Sequence, residues 1–338
     1  MKVLVIKRDK LGDLLLATPM LAHLKASRPE VQLHLLTNDY NAWVAFGNPH
    51  VDRQWIYRRV RHGGRVSLSA AWNLWQTTRA LRNERFDVVI VANGEESPRA
   101  IARGLSVRGQ RTVAYCRDAR AWPGLTDALP LPAGMHEADR MLGMLAPLGV
   151  AAPAKRPDPY YALPEEQARF ARQWLGERGL PERGYVTLGL GARRPKKQPS
   201  TEQILRWTRH WHERHGLATV FMWTPGKSDD PVYPGDDHVA QPVLDAKLPF
   251  IHPFRGAILP ALGLIWGARA SLFPDSGLMH FAAASPGGVL GLFAQTDVSP
   301  HPSQWGPIGP RADFLDAPDS VSELADDLVL ARFGALLG

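Results

Sequence analysis

Asp275-Ser276-Gly277-Leu278-Met279-His280 puts a carboxylate, a hydroxyl and an imidazole within six residues, between the apolar run 261–273 and the small-residue run Phe281-Ala282-Ala283-Ala284. The run reads as a helix end and a buried strand, so Asp275-Ser276-Gly277 is a tight turn that sets oxygen ligands and free backbone N–H groups at a helix N-terminus. That is a site for a phosphorylated, polyhydroxylated ligand; a plain helix cap is the other reading. A second carboxylate, Asp13, follows Gly12 after the β-branched, apolar run Val3-Leu4-Val5-Ile6. The run predicts a first buried strand, and Gly12 lets the backbone turn into a helix. Asp13 then lies at the carboxyl end of strand one, where open α/β sheets keep their ligands, unless it only caps the helix. The third element is Gly189-Leu190-Gly191-Ala192-Arg193-Arg194-Pro195-Lys196-Lys197-Gln198-Pro199, glycine followed by four cations, with Ser200 or Thr201 and Glu202 as a helix start. Fixed cations at a helix N-terminus stabilise charge on a departing phosphate. A solvated charge run remains the alternative.

The elements that must position these groups follow from the periodicities. Apolar runs at 31–36, 88–91 and 112–114 alternate with helical stretches at 20–26 and 67–84, a βαβ pattern that implies a parallel sheet. A second α/β set begins at 185–190 and continues through 219–223, 270–273 and 289–293. The proline-rich stretch 153–159 between them reads as a linker, giving domains at 1–155 and 156–338. Length agrees, since 338 residues exceed what one core usually supports. The region 224–253 holds six of the 29 prolines and reads as a long surface loop. A last helix at 321–337 has the option of packing back on the N-terminal domain.

The net charge of +7 is carried by the first half: residues 1–150 hold 21 Lys and Arg against 13 Asp and Glu. Residues 53–120 alone hold fourteen Arg, five acidic residues and no Lys. The planar fork of arginine matches phosphate and carboxylate oxygens bidentately, so this bias suits an anionic partner; a GC-rich genome accounts for part of it. Arg58-Arg59-Val60-Arg61-His62 is the tightest cluster. Nucleic acid is not the expected partner, because no nucleic-acid-binding motif accompanies the arginines. Single Cys116 allows no internal disulfide and fits a reducing compartment. The first apolar run is only a strand long, so no signal peptide is expected, and no apolar stretch is long enough to span a bilayer.

The two acidic motifs, in this order and at opposite ends of the chain, resemble those of glycosyltransferase family nine, the ADP-heptose:lipopolysaccharide heptosyltransferases. Gly12-Asp13 followed by an apolar run and Thr18-Pro19 is similar to the family's opening signature, and Asp275-Ser276-Gly277-x-x-His280 to its nucleotide-sugar signature. The resemblance implies an α/β chain of two Rossmann-like domains facing a cleft, the GT-B architecture. It implies an inverting transferase that moves heptose from an ADP-sugar donor to an anionic lipopolysaccharide precursor in the cytoplasm, in peripheral contact with the inner membrane. By resemblance Asp13 is the catalytic base, and Gly12, Asp275, Ser276, Gly277 and His280 hold the donor. The family's Lys-x-Trp-Pro motif falls on Lys196-Lys197-Gln198-Pro199, with Gln198 in place of Trp; Lys196 is expected at the leaving group and Lys197 beside it, with the two roles open to exchange. An acidic residue that contacts nucleotide or sugar falls on Asp230 or Asp229, and the acceptor on Arg58, Arg59 and Arg61. Alternatives are another nucleotide sugar in surface-polysaccharide assembly, or nucleotide binding without turnover, which the Gly12-Asp13 pair disfavours.

Other motifs fail on spacing. Gly226-Lys227-Ser228 is no phosphate-binding loop, since Phe221 stands where glycine is needed. His212-Glu213-Arg214-His215 is one residue short of a zinc-protease helix, so its imidazoles are expected in solvent. No Gly-x-Ser-x-Gly elbow is present. No Asp-x-Asp occurs, so no metal or other cofactor is expected. Trp72 and Trp75 lie on one stripe with Leu68 and Arg79, which suits core packing first and a membrane interface second.

Overall fold

The structure is a computed structural model that describes residues 1–62, 65–191, 195–227, 235–295, 297 and 301–338, the side chains of Arg61, His62 and Arg65 excepted. The chain divides into two compact units, Met1–Ala162 and Leu163–Gly338. The proline-rich stretch at 153–159 belongs to the first, where the chain returns along its own unit and Tyr160 N donates to Thr18 Oγ1 at 2.8 Å.

Unit 1 runs β1 (Lys2–Ile6), α1 (Leu11–Leu15), α2 (Thr18–Ser27), β2 (Gln32–Asn38), β3 (Arg53–Tyr57), the antiparallel pair β4 (Arg61–His62) and β5 (Arg65–Val66), α3 (Leu68–Asn83), β6 (Val88–Val91), α4 (Pro98–Val107), β7 (Arg111–Tyr115), β8 (Asp127–Leu129) and α5 (Glu137–Gly143). Its sheet has the order β3-β2-β1-β6-β7-β8 with every pair parallel. The central strands are apolar along their length because both faces are covered: Val3, Leu4, Val5, Ile6, Val89 and Ile90 are fully buried.

Unit 2 runs α6 (Glu165–Gly176), β9 (Tyr185–Gly189), α7 (Thr201–His215), β10 (Ala218–Met222), α8 (Asp237–Asp245), β11 (Ile251–Phe254), α9 (Ile258–Gly267), β12 (Ser271–Pro274), α10 (Gly277–Ala284), β13 (Val289–Ala294), α11 (Pro302–Trp305), β14 (Ala312–Ala317) and α12 (Asp326–Leu337). Its sheet repeats the order of the first, β11-β10-β9-β12-β13-β14, again all parallel. Helix α7 starts where the sequence placed a start. Ser200 and Gln203 form a reciprocal capping box, and Gly216 ends the helix in the left-handed region at φ 65°.

Several expectations are corrected. The stretch at 224–253 is not one loop, because its described part contains α8 and the start of β11. Pro242 sits inside α8, whose Ala240 and Val243 are buried in the unit 2 core; burial outweighs the proline. Gly12 is not the turn, since α1 has already begun at Leu11 and extended Lys10 precedes it. The last helix starts at Asp326 rather than 321 and lies on its own unit, with the Phe333 ring 4.5 Å from that of Trp211 and the end of the helix held by Arg269 at the Leu337 carbonyl. Trp72 and Trp75 are not core residues: they stack on each other in solvent, 59% and 49% exposed. The imidazoles of His212 and His215 are exposed, as the spacing required.

Candidate functional site

In each sheet the strand order turns back on itself between the two central strands, β1 and β6 in unit 1, β9 and β12 in unit 2. The crossovers there leave on opposite sides, which opens a crevice beyond the carboxyl ends. The singled-out acidic motifs sit at these two places.

In unit 2, Asp275 still belongs to the ladder through its N–H, which donates to Leu292 O at 2.9 Å, so its carboxylate stands at the last rung of β12. Ser276 is the extended residue before α10 and makes no capping bond; its buried Oγ has no hydrogen-bond partner among the described residues. Gly277 faces open space, since a Cβ there would meet nothing within 4 Å. The first N–H groups of α10 thus keep their capacity for a ligand. His280 is buried one turn into the helix.

Across the crevice Gly189 lies against Phe273, whose Cε1 would be 2.2 Å from an added Cβ. Glycine is therefore what lets β9 approach β12. The chain then delivers a short turn, Pro195–Lys197, and the second lysine reaches the motif: Lys197 Nζ is 2.5 Å from Asp275 Oδ2, with the two side chains only 6% and 13% exposed. Lys196 points elsewhere, to an exposed ion pair with Asp319 at 2.5 Å. Gln198 is buried and its amide donates to Leu190 O at 3.0 Å and Asp236 Oδ1 at 2.7 Å. Burial pushes the Asp236 carboxyl up from its ordinary value, against the pull of the Gln198 and Thr224 hydrogen bonds. The neighbouring Asp237 is held low, first by the Trp223 indole N–H at 2.7 Å, then by Gly226 N and Arg255. Asp229 and Asp230 lie outside the described residues, as do Arg193 and Arg194.

In unit 1 Asp13 is the third residue of α1 and does not cap it. Its half-buried carboxylate makes no hydrogen bond or ion pair among the described residues. The loop before it is pinned from several sides. Asn38 Nδ2 donates to Arg8 O at 2.6 Å, Asn41 Nδ2 to Lys7 O and Asp9 O at 3.3 and 3.2 Å, and buried Lys7 lies 3.3 Å from Asp9. From the far side of the crevice Asn93, just beyond β6, donates to Asp9 Oδ2 at 2.7 Å. Gly94 follows it with buried Glu137 against its N–H at 3.1 Å, and a Cβ there would lie 2.3 Å from the Glu137 carboxylate. The arginine cluster is divided: Arg58 is exposed, Arg59 pairs with Asp39 at 2.9 Å and lies over the Tyr40 ring, and the Arg61 side chain is outside the described residues.

Sequence reasoning missed Lys7, Asp9, Asn93, Glu137 and Asp236. The local signals were Asn93-Gly94 after an apolar strand and the closeness of Lys7 to Asp9, since the remaining contacts join segments tens of residues apart. Among the described residues no group of three or more His, Cys, Asp or Glu is placed to hold a metal ion.

A family model described as glycosyltransferase family 9 (heptosyltransferase) matches residues 74–322. Lipopolysaccharide heptosyltransferase 3 of Escherichia coli is 25% identical over 290 residues, covering 85% of this chain and 81% of the relative. Among solved structures, a family 9 glycosyltransferase from Veillonella parvula aligns with a TM-score of 0.82 at 19% identity over 99% of this chain and 97% of that one. The E. coli heptosyltransferase WaaC with ADP aligns with a TM-score of 0.75 at 18% identity over 99% and 100%. These likenesses give the two Rossmann-like halves their GT-B fold. With the acidic motifs at the two places where such sheets bind ligands and a family match over most of its length, the chain belongs to glycosyltransferase family 9, the heptosyltransferases.

Proposed function

We propose that this glycosyltransferase moves heptose from ADP-heptose to the inner core of a lipopolysaccharide precursor at the cytoplasmic face of the inner membrane, with inversion and without a metal ion. The observation that carries the reading is the Asp275-Ser276-Gly277 turn with Lys197 closed upon it at the crevice of unit 2. It supplies what a sugar pyrophosphate requires: an acceptor for sugar hydroxyls, open N–H groups and a buried cation. Solved relatives carry ADP and ADP-2-deoxy-2-fluoro heptose, which supports this class of donor.

The acceptor hydroxyl would give its proton to Asp13 as its oxygen bonds to the anomeric carbon on the face opposite ADP. The bond from that carbon to the β-phosphate oxygen breaks, and ADP leaves with the electron pair. Lys197, rather than Lys196, takes the position beside the leaving phosphate, because its ion pair holds it on the Asp275 turn whereas Lys196 pairs away from that turn with Asp319. Gly12, Ser276, Gly277 and His280 line the donor side, and Arg58, Arg59 and Arg61 receive acidic groups of the acceptor.

The test is transfer in vitro from ADP-heptose to a Kdo-bearing acceptor, beside GDP-mannose and UDP-glucose as competing donors, with mass spectrometry of lipopolysaccharide from a strain lacking the gene. Loss of a heptose from the core and turnover with ADP-heptose are expected. Turnover with another donor would reassign the sugar, and donor binding with no turnover would make the chain a nucleotide-binding protein. Activity should survive excess EDTA; loss on chelation, restored by magnesium or manganese, would overturn the metal-free reading.

A further inference from the structure

The outer face of α3 is unusual for a helix on a folded unit. Leu68, Trp72, Trp75, Arg79 and Arg82 recur at intervals of three and four and are all exposed, Leu68 at 83%. A solvated helix face is normally polar throughout. Here the first two turns are apolar and the last two cationic. Beside the cationic end, between α3 and α4, lies a groove of about 780 Å³ whose walls include Arg8, Arg79, Arg82, Arg99 and Arg103 and no acidic residue. Among the described residues none of the five is in an ion pair. Arg82 gives its Nε to the Ser106 carbonyl at 2.7 Å, Arg79 lies over Trp75 with 5.6 Å to the ring centroid, and Arg103 lies over Tyr57. Arg8 Nε is buried without a hydrogen-bond partner. Five converging guanidinium groups without counter-charge call for several anionic groups at once.

We propose that this face of α3 and α4 docks unit 1 on an anionic phospholipid bilayer, with Leu68, Trp72 and Trp75 entering the headgroup region and the groove arginines receiving lipid phosphates. Tryptophan beside arginine is the composition that settles at such an interface. A free anion would leave the tryptophans unexplained. Nucleic acid fits less well, because the two indoles stack on each other at 4.7 Å and so leave one face each rather than a slot between them for a base. No helix among the described residues is long and apolar enough to cross a membrane, so attachment through this face would be at the surface. The reason for docking, a lipid-linked acceptor, rests on the function proposed above; the docking itself does not.

The experiment sediments the full chain with vesicles of phosphatidylcholine alone or mixed with phosphatidylglycerol, with neither donor nor acceptor present. Binding to the anionic vesicles, weakened by salt, is expected. Arg79→Gln with Arg99→Gln should weaken it about thirtyfold, at roughly fivefold per arginine, and Trp72→Ser with Trp75→Ser should reduce it at least tenfold. All four residues are exposed, so melting temperatures should stay at the wild-type value. The proposal falls if the wild type ignores anionic vesicles, if both double variants bind like it, or if the arginines retain a single-stranded oligonucleotide or inorganic phosphate in preference to vesicles. Transfer to a water-soluble, deacylated acceptor should be unchanged in the tryptophan variant. A wild type that transfers to this acceptor but ignores anionic vesicles overturns docking alone, and a wild type that binds the vesicles but fails to transfer overturns the functional reading alone.

Discussion

Two lysines adjacent in sequence have opposite surroundings, and that difference makes a residue-scale prediction. Replacing Lys197 by Met strands Asp275 in a buried site and should cost about 3–5 kcal/mol of stability, read by denaturant unfolding, with turnover falling further than the folded fraction. Lys196→Met removes one partner of an exposed pair, worth about 0–1 kcal/mol, and should leave turnover within a few-fold of wild type; equal defects in the two variants would show that neither position is special. At Asp13, Asn keeps the shape but not the basicity, so kcat should drop roughly 10²–10⁴-fold while donor affinity, measured by calorimetry, hardly moves. Retention of more than a tenth of the activity would remove Asp13 from the mechanism. The acidic motifs were legible because each is a short run of distinctive residues at a strand end. The choice between Lys196 and Lys197 was not, since which way a lysine turns depends on Asp275 and Asp319, residues 78 and 123 positions away. Nothing in the local sequence says which carboxylate lies nearer.

At the scale of elements, the contact between β9 and β12 rests on Gly189. Phe273 is fully buried and cannot retreat from a new Cβ, so Gly189→Ala should destabilise unit 2 by about 1–3 kcal/mol and weaken ADP binding by moving Lys197 relative to Asp275. Helix α12 makes a prediction about acid. Its Asp326 carboxyl accepts from Arg206 and, at 2.7 Å, from the Trp207 indole, and the Arg206 bond holds it below its ordinary value. A carboxyl lower in the folded chain than in the unfolded one contributes stability above the unfolded value, about 3.9, and loses it as pH falls through the folded value. Protection of the α12 amides, corrected for the intrinsic slowing of exchange in acid, should therefore fall on acidification, and Asp326→Asn should abolish that fall. The central strands were legible because double burial makes them apolar without interruption, as in Val88-Val89-Ile90-Val91. Edge strands such as β8, with Asp127 held by Arg111, and β11, with Pro253 within it, lack that signature. Their place is set by the neighbouring strand rather than by their own composition.

For the whole molecule, two sheets of identical order, each with its own core, predict that residues 163–338 expressed alone fold cooperatively and bind ADP but transfer nothing, since Asp13 and the arginine-rich helices belong to the other unit. A fragment that melts without a cooperative transition would show that unit 2 depends on unit 1 for stability. The division into two α/β sets was visible in the sequence, while the boundary was displaced to Ala162 because prolines mark where a chain is stiff, not which core it lies on. The order of the strands also has a consequence for the ribosome. In unit 1 the first strand made is the central one, and Lys2 N finds its partner Asp87 only 85 residues later. At roughly 5–20 residues per second that is a wait of about 4–17 s, during which one edge of Val3-Leu4-Val5-Ile6 stays open even after β2 has paired with the other. During synthesis unit 1 is then most exposed to misassociation at β1, and slowing elongation across 32–88 should raise the yield of aggregate, whereas slowing it after β6 has emerged should not.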